Sequence, residues 1–239
     1  MQTVCGLNFS RCLINQLYQD LELGREPDFS GSYLMNRERV GVPLRRALED
    51  IFFSLPAEPT VMVVDFVGVE ELTGSVAEEV GPKLFGAVET HRKVSPDKYL
   101  IYDNLSQEIR KELDAWFAKY DRCTPAFLQD EQDAEFPIAG ALPPDNLLEA
   151  LIFCYRHGPI TSSELGKQLA AAAKKLAIVH RDYPWLLHRQ KVRGDTPKSW
   201  QYLFIPLIPL DRIRQQGSRQ VRLSRATSGK ASDEARQEQ

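Results

Sequence analysis

The run Val61-Met-Val-Val-Asp-Phe66 constrains this chain more than any other stretch. Its side chains are apolar almost without interruption, and a strand with one solvated face would alternate. A strand without alternation is buried on both faces, which is the habit of parallel sheets covered by helices. A second such run, Tyr99-Leu-Ile-Tyr102, follows after a helical stretch. The predicted class is therefore α/β.

Helical periodicity surrounds these strands. Val42–Leu55 places Leu44, Leu48, Ile51 and Phe52 on one face and Arg45, Arg46, Glu49 and Asp50 on the other. Residues 75–89 repeat Val76, Val80, Leu84 and Val88, with Pro82 inside the pattern as an expected kink or break. Ser75 is the expected cap of that helix, with Gly74 making the turn. Ser106–Tyr120 carries the stripe Ile109, Leu113, Trp116, Phe117 and Tyr120, with Ser106 as candidate cap. At the start, Val4, Leu7 and Phe9 form a short apolar segment, and Leu13, Ile14, Leu17 and Leu21 take helix spacing. The segment REPDFSGS at 25–32 reads as a turn-rich break, and residues 124–144 as a last edge strand or two followed by a linker.

Charge divides the chain. The net charge is −3, yet residues 1–142 hold 14 Lys/Arg against 24 Asp/Glu, and residues 143–239 hold 16 against 9. An acidic part followed by a basic part suggests two domains with different partners, and positive charge favours phosphate. In the basic part, Asp145–Tyr155 reads as a helix with Asp145 as candidate cap, ended by His157-Gly158-Pro159. Thr161-Ser-Ser-Glu164 is a capping box opening a second helix near Ser162. Residues 170–180 are a third helical stretch. Leu186–Val192 and Trp200–Ile205 then read as two strands around the turn Arg193-Gly-Asp-Thr-Pro197. Three helices and a two-stranded ribbon follow the order of a winged helix-turn-helix over 143–214. The tail 215–239 is poor in apolar residues and is expected to be disordered.

The opening run also resembles the STAS-like domain family. The resemblance rests on Asp65-Phe66 with Val69, on Ala77-Glu78-Glu79 opening the helix, and on Tyr33-Leu-Met-Asn-Arg37 ahead of it, and spans roughly residues 30–140 of a domain placed at 1–142. It implies a bacterial regulator acting through a protein partner, such as a histidine-kinase-type ATPase. In anti-sigma factor antagonists of that fold a serine at the strand–helix turn is phosphorylated. Gly74 stands in its place here, so a switch would have to use Thr73 or Ser75, with Glu78 and Glu79 beside them as partner-binding residues.

Sites of other kinds are not visible. Asp65, Glu70, Glu71, Glu78 and Glu79 have no His, Cys or Lys at ligand or acid–base spacing, so a solvated acidic helix start is the expected reading. The histidines at 91, 157, 180 and 188 share no metal spacing, the four cysteines form no knuckle or redox pair, and no Gly-rich nucleotide loop or nucleophile elbow occurs. A non-enzymatic protein without cofactors is expected. The absence of a long apolar run and of a signal-like segment suggests a cytoplasmic protein without a membrane span. The functional expectation is transcriptional or defence-type regulation through duplex DNA. Lys174, Lys175, His180 and Arg181 would act near the third helix, and His188, Arg189, Lys191, Arg193 and Lys198 along the ribbon. The third helix lacks Arg, Asn and Gln over 170–179, so phosphate contacts would dominate. An adaptor subunit of a larger complex is the alternative, and the reading leaves room for a homodimer.

Overall fold

The computed structural model describes residues 2–4, 6–23, 33–129, 137–169, 171–194, 199–209 and 212. In chain order its elements are β1 (Gln2–Val4), β2 (Leu7–Leu13), α1 (Ile14–Asp20), β3 (Tyr33–Leu34), α2 (Val42–Phe53), β4 (Thr60–Asp65), β5 (Glu71–Leu72), α3 (Gly74–Glu78), α4 (Leu84–Arg92), β6 (Lys98–Leu105), α5 (Gln107–Lys119), β7 (Cys123–Leu128), β8 (Ile138–Gly140), α6 (Asp145–His157), β9 (Ile160–Thr161), α7 (Ser162–Gln168), α8 (Ala172–Asp182), β10 (Leu187–Arg193) and β11 (Trp200–Pro206). Two π-helical segments, Arg37–Gly41 and Glu79–Lys83, lead into α2 and α4.

The protein is mixed α/β with a mostly parallel central sheet. Its order is β1-β2-β4-β6-β7-β8, parallel from β2 to β7 and antiparallel at both edges. Every residue of β4 is buried, as its unbroken apolar pattern requires. Met62, Val64, Leu100 and Tyr102 face a core shared with Leu44, Leu48 and Phe52 of α2, Leu84 and Phe85 of α4, and Ile109, Leu113 and Phe117 of α5. The opposite face, with Val61, Val63, Tyr99 and Ile101, is buried too.

Three local expectations change. The N-terminal apolar segment is not an appendage: Leu7–Leu13 is a sheet strand paired in parallel with β4, and only Ile14 onward is helical. Sheet pairing is non-local, so the helix spacing of Leu13 and Ile14 overrode the strand in front of it. Thr73, not Ser75, occupies the extended cap position of α3, and Gly74 is already its first residue. Pro144, not Asp145, precedes α6 in extended geometry, and Asp145 lies in the first turn, where its charge meets the helix dipole. The last strands expected within 124–144 are β7 and β8, with β8 at the sheet edge and β7 just inside it. The expected break at Pro82 is present as the π segment, where Gly81 leaves helical geometry (φ −95°, ψ −107°).

Residues Met1–Leu207 form one compact unit, and the change of charge at 142/143 falls inside it. Trp185 packs edge-on against Phe85 at 5.4 Å, and the buried Tyr99 hydroxyl lies 2.8 Å from His188 Nδ1. The expected tail at 215–239 lies outside the described residues.

Candidate functional site: a basic and aromatic ribbon

After β8 the chain runs helix, short strand, two helices and hairpin. The capping box at Thr161 and Glu164 is formed in both directions, which starts α7 where the sequence places it. Gly158 ends α6 at φ +79°. Ala171, at φ +61°, makes the sharp turn into α8. β10 and β11 pair antiparallel from Leu187↔Pro206 to Arg193↔Trp200, and β9 adds to β11, giving the order β10-β11-β9.

Directly paired residues share a face of such a ladder. Arg189, Lys191 and Arg193 therefore lie on one side of the ribbon with Tyr202 and Trp200. The guanidinium of Arg189 sits 4.4 Å from the Tyr202 ring centre, and Lys191 Nζ 5.1 Å from that of Trp200. Trp200 is 59% exposed and Tyr202 43%. Neither strand contains a carboxylate, and among the described residues no carboxylate pairs with these three cations. The face thus holds unneutralised positive charge interleaved with two open rings.

The residues near the third helix are less available than the sequence suggests. Lys174 is exposed. Lys175 Nζ lies 3.4 Å from Glu149 Oε2 on α6. Arg181 is engaged by its neighbour Asp182 at 2.6 and 2.9 Å. Burial, then the charges of Arg189, His188 and Arg92, push His180 down to about 4. His188 is buried and also shifted down, by burial first. Both imidazoles are neutral near pH 7 and add no charge to the surface. Lys198 lies outside the described residues.

The strand–helix turn is built for packing. Thr73 Oγ1 is 3.4 Å from both the Leu34 carbonyl and Ser75 Oγ. Ser75 is exposed, while Glu79 is 2% exposed. Arg37 Nε and Lys83 Nζ donate to Glu79 Oε1 at 2.8 and 2.6 Å, and Arg45 Nε to Oε2 at 2.9 Å. Burial would raise this carboxyl, but hydrogen bonds from Lys83, Arg45 and Arg37 outweigh it and hold it below the usual range. Glu78 accepts from the Tyr120 hydroxyl at 2.6 Å and is held low chiefly by that bond. This network braces the π segment. The four residues Thr73, Ser75, Glu78 and Glu79 are neighbours in sequence, but Glu79 points into the fold and Ser75 out of it.

A second polar cluster escaped sequence reading. Asp65 and Asp103 are register partners at the carboxyl ends of β4 and β6 and are both buried. Arg11 of β2 pairs with Asp65 and, at 3.1 Å, with Asp103, while Asn104 Nδ2 donates to Asp65 at 2.8 Å. Its signal was missing because Arg11 sits in the strand that helix spacing concealed. Trp200 and Tyr202 were legible as strand residues, but their shared exposed face was not singled out from the sequence. Among the described residues no group of three or more His, Cys, Asp or Glu is arranged for a metal. Cys12, Cys123 and Cys154 are free thiols, and burial pushes Cys12 and Cys123 up to about 11. No helix of the described residues is long and apolar enough to cross a membrane.

Compared with known proteins, the chain matches no family model, no curated protein and no solved structure.

Proposed function

We propose that this chain is a non-enzymatic, cytoplasmic regulator that binds duplex DNA through a winged helix-turn-helix and a protein partner through a STAS-like α/β layer. The observation that carries the DNA reading is the Arg189–Lys191–Arg193 face, which lies on a hairpin that follows three helices and is joined by β9. In winged helices the third helix approaches the major groove and the hairpin grips the backbone. Here α8 takes the first role with Lys174, and the ribbon takes the second. Because α8 offers Ala, Lys and Ile before its last turn, and the single Arg there, Arg181, is engaged by Asp182, affinity comes from phosphate neutralisation and specificity is low. The partner of the α/β layer, a histidine-kinase-type ATPase by resemblance, would meet the surface around Thr73 and Ser75. Mass spectrometry of the native protein tests modification there: a phosphorylated 73–75 peptide supports the switch, and an unmodified peptide in every growth state removes it.

The DNA reading is tested by anisotropy of a labelled duplex against the whole chain across a salt series. Binding at low salt that falls linearly with log salt, with a slope of about −3 for three to four phosphate contacts, supports it. No affinity at low salt overturns it. A second reading, an adaptor within a larger assembly, is favoured by the surface of α6. There Leu148, Ile152, Phe153 and Leu169 line an open groove of ≈ 420 Å³ rimmed by Asp145, Glu149 and Arg156.

A further inference from the structure

The two exposed rings call for an explanation that duplex binding does not supply. Phosphates need cations, and the ribbon has them. A Trp 59% exposed and a Tyr 43% exposed on adjacent same-face positions of one strand leave apolar area in water without adding charge. Their spacing is specific. Residues two apart on a strand stand about 6.8 Å from each other, twice the ~3.4 Å rise of a stacked base along one strand. Two rings carried at that spacing can take flat heterocycles at the separation of stacked bases. Arg189 and Lys191 reach across the ladder to the same rings, at 4.4 and 5.1 Å. Each lies over one face of its ring, which leaves the other face for a base and sets positive charge against the stack. Arg193, paired with Trp200 and exposed, extends the charge toward the tip. Alternating cations and open aromatics along an extended strand are what a single-stranded nucleic acid requires, because every base has a stacking face and every linkage a charge. In a continuous duplex the bases are already stacked on each other, and these rings would have nothing to hold.

We propose that the exposed face of the β10–β11 ribbon is a binding site for unpaired nucleotides, with Trp200 and Tyr202 stacking bases and Arg189, Lys191 and Arg193 holding phosphates. This deepens the nucleic-acid reading above and rests on it. On the whole protein, a duplex with a single-stranded overhang then binds more tightly than a blunt duplex of the same length, and an oligothymidylate binds on its own.

The test compares those three labelled probes by anisotropy at matched salt, for the native chain and for Trp200→Ala, Tyr202→Ala, Trp200→Phe and Lys191→Ala. Stacking lost at one ring weakens the oligothymidylate and the overhang probe by about 5- to 150-fold. The blunt duplex is little changed, and Trp200→Phe restores part of the loss. Lys191→Ala instead lowers the salt slope for the single strand by about 0.7. Circular dichroism of each variant establishes that it is folded. If the blunt duplex binds and the oligothymidylate does not, or if the ring variants weaken both probes equally, the unpaired-nucleotide site is refuted and the duplex reading stands. If no probe binds at low salt, both fall together.

Discussion

Tyr99→Phe removes one oxygen atom from the contact between the acidic and the basic part of the chain. Tyr99 and His188 are both buried, and their 2.8 Å hydrogen bond links residues 89 positions apart. The substitution leaves the ring packing in place. Phe can keep the edge-on contact that the native ring makes with the imidazole at 5.6 Å and 78°, and the stacking of the Arg92 guanidinium 4.7 Å above it. What is lost is the hydrogen bond, and the His188 ring nitrogen is left buried without this partner. A buried group so stranded costs about 1–3 kcal/mol. In a unit of this size that corresponds to a fall in Tm of about 2–12 °C. Differential scanning calorimetry measures the shift. Because Met1–Leu207 is one compact unit, a single transition is expected in both proteins. A cycle with His188→Leu isolates the bond: once the imidazole is gone, Tyr99→Phe should cost less by that bond's share, leaving only the hydroxyl's interaction with Asp97. An unchanged Tm in the single variant, or equal losses in both backgrounds, would refute the reasoning. Two separate transitions in the native chain would show that the contact does not couple the parts.

Three further outcomes follow from particular residues. Gly140→Ala should lose at least about 2 kcal/mol in chemical denaturation, because its Cβ would stand 2.1 Å from the Arg122 carbonyl oxygen at φ +93°. Glu79→Gln should lose about 1–3 kcal/mol, tempered because Arg37, Arg45 and Lys83 are partly exposed and regain water. A Glu79 variant as stable as the native chain would remove the bracing role of the network. Stability should also fall on acidification. His180 has a folded pKa depressed to about 4, so its contribution is complete above its ordinary value of 6.5 and is lost as pH falls from there toward 4. Denaturation midpoints between pH 7 and 4 measure this, and a His180→Gln variant should flatten part of the slope.

The elements were legible in proportion to how local their causes are. The capping box at Thr161 and Glu164, the glycine stop at 158, the break at Pro82 and the doubly buried β4 each depend on residues within a turn of one another. β2 was not legible, because its place beside β4 is a pairing across about fifty residues and its own pattern runs into a helix. Separation along the chain likewise hid Arg11 from Asp65 and, farther still, from Asp103. The ribbon cations were visible as a cluster, but the lack of a carboxylate partner among the described residues was not, and neither was the engagement of Lys175 and Arg181 or the neutrality of His180. Those depend on which side chains arrive from other elements and on how much water they leave.

Sequence by itself therefore determined the alternation of helix and strand, the α/β class and the positive charge of the C-terminal part, since these follow from side-chain periodicity and composition. Tertiary structure alone decided that the two differently charged parts share one compact unit through Tyr99, His188 and Trp185. It also decided that Glu79 is a buried brace while Trp200 and Tyr202 remain in water. The physical reason is common to all of these: burial and pairing are properties of neighbours brought together by packing, and a residue's own identity does not name its neighbours.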